Sequence, residues 1–244
     1  MIGSLSLDSA SLKRSGNEVL QILPSDTLAR LAPHCRRIAL TKSALICDAD
    51  QPIPAALFVE EGLAAVSRPG DRPGTQIALI GRESFCGTPL ALECDEWPYR
   101  AVVQSAELTG IRIGADAFKK LAADDPEFRR VLLRSIHVKM VQLAEGLLSY
   151  ADQRLMQRIA RLLLMYRDRL QTDRLQLTHE YMALILGAQR TGITSALHAM
   201  EGAGVISSKR GLVIISDLSA LHDMAAQGYG EAESEHSKLF VSLP

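Results

Sequence analysis

Cysteine is scarce in this sequence and badly spaced for chemistry. Cys35, Cys47, Cys86 and Cys94 form no CxxC pair and have no histidine pair nearby, so neither a zinc nor a cluster site is signalled. Buried or idle thiols are the expectation, with a redox sensor as the alternative. No apolar run approaches the roughly eighteen residues of a membrane helix, and no cationic stretch with an apolar core opens the chain. A cytoplasmic location without a membrane partner is therefore expected. An excess of one charge is also missing: 27 Lys and Arg face 28 Asp and Glu, a net -1, which excludes a generally basic nucleic-acid coat. Finally, no nucleophile with a base partner, no metal motif and no P-loop is present, which argues against an enzyme.

The charge that is there is unevenly placed. Between Ala151 and Ile215, nine Arg or Lys against five Asp or Glu leave a local +4, whereas from Ser216 onward five acids against Lys238 leave -4. A basic module inside a neutral chain fits localised phosphate contact.

Four regions follow from the patterning. Met1 to Ser15 is Ser-rich and reads as loose; short helices are expected over Asn17–Ile22 and Ser25–Ala32, the second with Ser25 as N-cap. From there to residue 125, short strands at 37–40, 44–47, 55–60, 64–68, 76–80, 100–104 and 107–113, punctuated by Gly and Pro turns such as Pro69–Gly74, indicate an antiparallel barrel or roll. The expected domains are a roll over 16–125, a long helix over 126–152, a second module over 153–226 and a poorly patterned acidic tail over 227–244. Pro126 can open the long helix at no cost, because its missing N–H would be unpaired there. Along that helix Leu133, Ile136, Met140, Leu143, Leu147 and Tyr150 alternate spacings of three and four, the seam of a two-stranded coiled coil. Val131, Leu132 and Val141 lie off the seam, so one face can rest on the roll while the other meets a partner chain; core packing alone is the alternative.

Leu177 to Ile215 is the most informative stretch. Thr178 is a plausible N-cap for a short helix that stops at Gly187; a second helix starts near Arg190, with Ile193, Leu197 and Met200 on its buried face. Its free face carries Gln189, Arg190, Thr191, Thr194, Ser195 and His198. Ala183, Gly187 and Ile193 meet the needs of closely crossed helices in order, which makes this a helix-turn-helix. Strands at 205–207 and 212–215 then enclose a tip, Ser208 to Gly211, whose Lys209 and Arg210 suit a phosphate backbone. Such winged helices also serve as protein-docking modules, but a polar free face favours DNA.

Roll, long helix and winged helix in this order resemble the Crp/Fnr family of bacterial transcription regulators, from about Val19 to Leu221. The residues carrying the likeness are QRIARLLL (157–164), the helix-turn-helix, the wing SSKRGLVII, the cassette Gly81, Arg82, Glu83 and Gly87, and YRAVVQ (99–104). The fold class implied is α+β: an N-terminal antiparallel β-roll like a cyclic-nucleotide-binding domain, a dimerisation helix and a C-terminal winged helix-turn-helix. The resemblance further implies a homodimer, through Leu133, Ile136, Met140, Leu143 and Leu147, on a palindromic double-stranded operator, with RNA polymerase as a further partner. Gln189, Arg190, Thr191, Thr194 and Ser195 are the expected base readers, and Thr178, Lys209 and Arg210 the phosphate contacts. Thr191 stands where the family's common Arg-Glu pair has its acid, so a different operator is expected.

The expected effector site comprises Gly81, Glu83, Gly87, Thr88, Arg100 and Ala101, for a small anionic or nucleotide effector whose identity, and even existence, stays open. In cyclic-AMP binders of the family a Glu follows the cassette glycine and an Arg-Ser pair holds the phosphate. Here those places hold Thr88 and Arg100-Ala101, and the adenine-reading positions fall on Leu143 and Ala144, so cyclic AMP is not expected. Arg100 either holds an anion or pairs with an acid such as Glu93. The alternative to a transcription regulator is a ligand-sensing signalling protein whose winged helix docks on a protein.

Overall fold

In a computed structural model, residues 7–69 and 76–241 are described; most of the expected 69–74 turn lies outside them. The chain opens with three short helices, α1 (Ser9–Lys13), α2 (Glu18–Gln21) and α3 (Ser25–Leu31). Part of the segment read as loose is therefore helical: Asp8 caps α1, and Leu12 is wholly buried. Ser25 is the first residue of α3 rather than its cap; Pro24 precedes the helix and supplies no side-chain hydrogen bond.

Among the described residues, eight strands follow: β1 (Cys35–Thr41), β2 (Leu45–Cys47), β3 (Ala55–Glu61), β4 (Ala64–Ser67), β5 (Gln76–Ile80), β6 (Phe85–Cys86), β7 (Arg100–Val103) and β8 (Glu107–Gly114). They form two four-stranded sheets, ordered β1-β8-β3-β6 and β2-β7-β4-β5, and every pairing is antiparallel. Strand β3 is buried through Glu60 instead of alternating, because helices cover the face that an exposed sheet would give to water. Helix α4 (Ala115–Asp124) supplies part of that cover, and Phe118 joins Phe58, Phe85 and Phe128 in an aromatic cluster with ring centroids 5.1–6.4 Å apart.

Helix α5 (Pro126–Asp152) starts as its sequence requires. Asp125 accepts from the backbone N–H groups of Glu127 and Phe128 at 3.0 and 3.1 Å, and Pro126 occupies the first turn. One face, with Val131, Leu132, Ser135 and Val138, is buried. The opposite face leaves Leu133, Met140, Leu143 and Leu147 exposed, with Ile136 half-buried beside them.

Helix α6 (Leu155–Leu170), β9 (Arg174–Leu175), α7 (His179–Ile185), α8 (Arg190–Gly202), β10 (Ile206–Lys209), β11 (Leu212–Ile215) and α9 (Leu218–Ala225) make the second module. The residues read as an acidic, poorly patterned tail instead hold α10 (Glu231–Val241), which packs along α5. Buried Glu145 of α5 accepts from the backbone N–H of Glu231 at 2.8 Å and so caps α10 from another helix. The cap stands 86 residues away in the chain, and a cap at that distance leaves no local signature. No helix among the described residues is long and apolar enough to cross a membrane.

Cys35, Cys47 and Cys86 are buried free thiols, and Cys94 is exposed. Burial pushes the Cys35 thiol up to about 12 and raises those of Cys47 and Cys86, which suppresses the reactive thiolate. The folded chain is expected to react promptly with one equivalent of a chromogenic disulfide reagent, at Cys94, and with four after denaturation. Prompt reaction of two or more thiols in the folded chain would contradict this.

Candidate nucleic-acid interface and sensor site

The helix-turn-helix forms from local rules. Thr178 Oγ1 accepts from Tyr181 N–H at 3.1 Å and caps α7, and Gly187 takes φ +56° to leave it. Ile193, Leu197 and Met200 turn one face of α8 into the core, where Met182, Leu163 and Val213 also lie. Gln189, Arg190, Thr191, Ser195 and His198 stay at least partly open to solvent. Thr194 is half-buried and already engaged: its hydroxyl donates to the Arg190 carbonyl at 3.0 Å and lies 2.9 Å from His179 Nδ1.

The wing is tighter than its sequence suggested. Ser208 and Lys209 belong to β10, and Lys209 pairs with Leu212, which leaves only Arg210 and Gly211 in the turn. Strand β9 pairs with β11 as a third strand. A concavity between the start of α7, α8 and the wing brings together Thr178, Arg190, Lys209 and Arg210, drawn from three separate elements. His179, absent from the expected contacts, lines the same surface. Desolvation, then Arg190 and His198, lower its pKa.

The expected effector residues fall into two places. Gly87, in a left-handed conformation at φ +91°, precedes Thr88 in a short 3-10 turn. Arg100 and Ala101 are in β7: Arg100 donates to Asp48 at 2.8 Å, not to Glu93, and Ala101 is wholly buried. Gly81 and Glu83, by contrast, face the second module. Glu83 accepts from Arg169 of α6 at 3.0 Å, and a Cβ on Gly81 would meet the Arg169 side chain at 2.9 Å. Burial alone would raise the Glu83 pKa, but Arg169 and then Lys139 more than offset it and hold the carboxyl below its ordinary range. These two residues thus serve a contact between roll and module.

That contact is extensive. Leu63, Ala65 and Leu79 of the roll share a core with α6 and the helix-turn-helix. Tyr181 donates to Gln76 Oε1 at 3.0 Å, and Tyr166 sits 3.2 Å from the Tyr181 hydroxyl. Tyr150, read as part of the seam, donates to the Ile185 carbonyl at 2.5 Å while Arg158 stacks 4.1 Å above its ring. Sequence spacing could not reveal that role, because the partner carbonyl belongs to a distant helix.

Residues 157–224 match the Crp-like helix-turn-helix domain family. A Crp-family transcriptional regulator from Thermus thermophilus superposes with a TM-score of 0.65 at 20% identity, covering 78% of this chain and 97% of that one. A second, Crp/Fnr-family regulator from the same organism gives 0.65 at 20% identity, covering 79% and 100%. The c-di-GMP responsive global regulator CLP of Xanthomonas campestris gives 0.64 at 15% identity, covering 79% and 99%. At these identities the likeness is one of fold. No curated protein matches the chain.

Proposed function

We infer that this chain, whose residues 157–224 match the Crp-like helix-turn-helix domain family and whose fold is like that of Crp/Fnr-family regulators, is a DNA-binding transcription regulator of that type, a homodimer that reads a two-fold symmetric operator through α8 and does not use cyclic AMP. The observation that carries the reading is the concavity uniting Thr178, Arg190, Lys209 and Arg210 beside a polar, solvent-facing helix side. Arg190, at the first turn of α8, can present its guanidinium in bidentate fashion to guanine O6 and N7. Thr191 and Ser195 follow on the same side, with Gln189 just before the helix. The two wing cations and the Thr178 hydroxyl then suit phosphates on either side of the groove. Thr194 can reach a base edge only by giving up one of its internal contacts.

Dimerisation would use the exposed face of α5. Two recognition helices related by a dyad must reach major grooves one turn apart, and a shared long-helix axis provides that spacing. Against cyclic AMP stand three features: Arg100 already neutralised by Asp48, Ala101 without a hydroxyl, and Thr88 without a carboxylate. CLP, responsive to c-di-GMP, illustrates this fold serving another ligand.

The test is operator selection from random duplex DNA, with Arg190→Ala alongside. The variant is expected to lose about 1–3 kcal/mol, or roughly 5- to 150-fold in affinity, and to relax choice at one base pair in each half-site. Unchanged affinity and selectivity would remove Arg190 from the interface. Failure of the unaltered chain to enrich any palindrome, with binding that barely responds to salt, would favour a protein-docking winged helix.

A further inference from the structure

His179 stands outside the expected DNA contacts, yet its side chain is tied to the recognition helix. Thr194 has one hydroxyl proton, which goes to the Arg190 carbonyl at 3.0 Å, so the 2.9 Å contact between Thr194 Oγ1 and His179 Nδ1 requires the ring nitrogen to donate. Nδ1 is then the protonated nitrogen, and Nε2 is the one that titrates. The two ring nitrogens point in diverging directions, so a ring anchored to α8 through Nδ1 turns Nε2 away from that helix. Among the described residues no hydrogen bond reaches Nε2. Half-buried His179 lines the concavity that also holds Thr178, Arg190, Lys209 and Arg210.

The surroundings decide which charge state the ring holds. Desolvation is the largest influence on His179, and Arg190 and His198 of α8 act in the same direction, so its pKa lies below the ordinary value of about 6.5. The other charged groups on this surface are Glu180 of α7, Glu201 of α8, and Lys209 and Arg210 of the wing. Glu201 is committed to the wing, where it accepts from the Ser208 N–H at 2.8 Å. At neutral pH the free chain therefore holds His179 mostly neutral, among cations suited to an anion. A phosphate beside the ring reverses the balance, because it offsets the charge of Arg190 and accepts a hydrogen bond that only the imidazolium can give from Nε2. In a helix-turn-helix the first helix crosses the DNA backbone while the second enters the groove. That assigns His179, on α7, to phosphates.

We propose that His179 is a phosphate contact that takes up a proton when the chain binds DNA, with Thr194 as the residue that orients its ring. The inference rests on the DNA-binding reading above and deepens it, since the interface itself then responds to acidity. The sign follows from linkage. Because the complex holds more protons than its separated parts, affinity is highest below the lowered pKa of the free chain and falls as pH rises from there through the raised pKa of the complex. Each unit by which DNA raises that pKa is about tenfold in affinity per half-site, and a dimer counts it twice. Acidification alone then raises operator occupancy, without a small effector.

The experiment measures duplex binding by the full chain from about pH 5.5 to 8 at constant salt. Random-sequence DNA at low salt serves beside any selected operator, because a phosphate contact carries no sequence preference. Affinity is expected to fall about tenfold or more per half-site across that range. His179→Gln, which can still donate to Thr194, should match the unaltered chain at the alkaline end and lose most of the pH dependence, whereas His179→Lys, charged throughout, should stay tight at every pH. His198→Gln should keep the dependence. Calorimetry in buffers of different ionisation enthalpy should show proton uptake on binding that His179→Gln abolishes. If the His179 variants fold poorly, Thr194→Val, which removes the orienting hydroxyl, should shrink the dependence. A pH profile unaltered by these changes, or one that disappears with His198 instead, would overturn the proposal and leave the DNA-binding reading intact. Failure of the unaltered chain to bind any duplex at any pH would sink both.

Discussion

Glu83→Ala is expected to destabilise the docked structure by about 3–5 kcal/mol, the usual cost of leaving one member of a buried ion pair without its partner. Arg169 is 5% exposed at its side chain and Glu83 16%, so the stranded guanidinium could not be rehydrated without pulling α6 from the roll. Its remaining bond, to the Met165 carbonyl at 3.0 Å, offers a dipole in place of a charge. The contrast is with Arg37–Glu60 and Arg100–Asp48, where the arginine is half in water; removing either of those acids should cost much less, because solvent screens the pair and rehydrates the arginine left behind. Urea unfolding followed by fluorescence and by circular dichroism would check this. Glu83→Leu combined with Arg169→Met should recover most of the loss, because an apolar pair of similar size leaves no charge behind. A loss below about 1 kcal/mol in the single variant would mean that water enters the junction and that the pair is not what holds roll and module together. The pH dependence has a definite sign. Glu83 sits below its ordinary range in the folded chain, so its contribution is complete above the unfolded value of about 4.3 and is lost as pH falls through the lower folded value. Glu83→Leu should flatten the acid limb of the stability profile.

The helix-turn-helix was legible because its determinants are local. A cap at Thr178, a glycine at 187 and apolar residues at 193, 197 and 200 act within a turn or two of themselves, and the structure places each where its chemistry required. The strands of the roll were legible for the same reason, apart from the two-residue β6, which like β9 beside the wing is too short to show a period. What stayed hidden depended on partners far away in sequence. Helix α10 lacks an apolar stripe strong enough to announce it and is capped by Glu145 of another helix. Glu83 sat in a cassette that suggested an effector, while its actual partner, Arg169, lies 86 residues on. Tyr150 fitted a heptad, yet a carbonyl at Ile185 claims its hydroxyl. Spacing along a helix says which face a side chain shares, but not which distant group meets that face.

The same distinction governs the long helix, whose seam was read from spacing and whose proposed partner is a second copy of the chain. Leu143→Asp together with Leu147→Asp is expected to convert the protein to a monomer and to weaken operator binding by about 100- to 10,000-fold, the advantage that linking two half-site readers confers. Both residues lie on the exposed stripe of α5, at 40% and 73% exposure, and Met140 one turn before them is at 63%. Burying a large aliphatic side chain of this kind is worth about 1.5–3 kcal/mol, and a symmetric seam counts each residue twice. Aspartates there would face their own symmetry mates across the dyad and add repulsion to the lost burial. Within one protomer these side chains hold little together, so the melting of the isolated chain should scarcely change. That separation makes the experiment decisive: sedimentation gives the oligomeric state, a half-site probe gives the affinity of one module, and a full palindrome gives the pair. A monomer that keeps half-site affinity but loses the palindrome would place the dimer axis on α5. A dimer that survives both aspartates would move the axis elsewhere and leave this apolar stripe to a different partner.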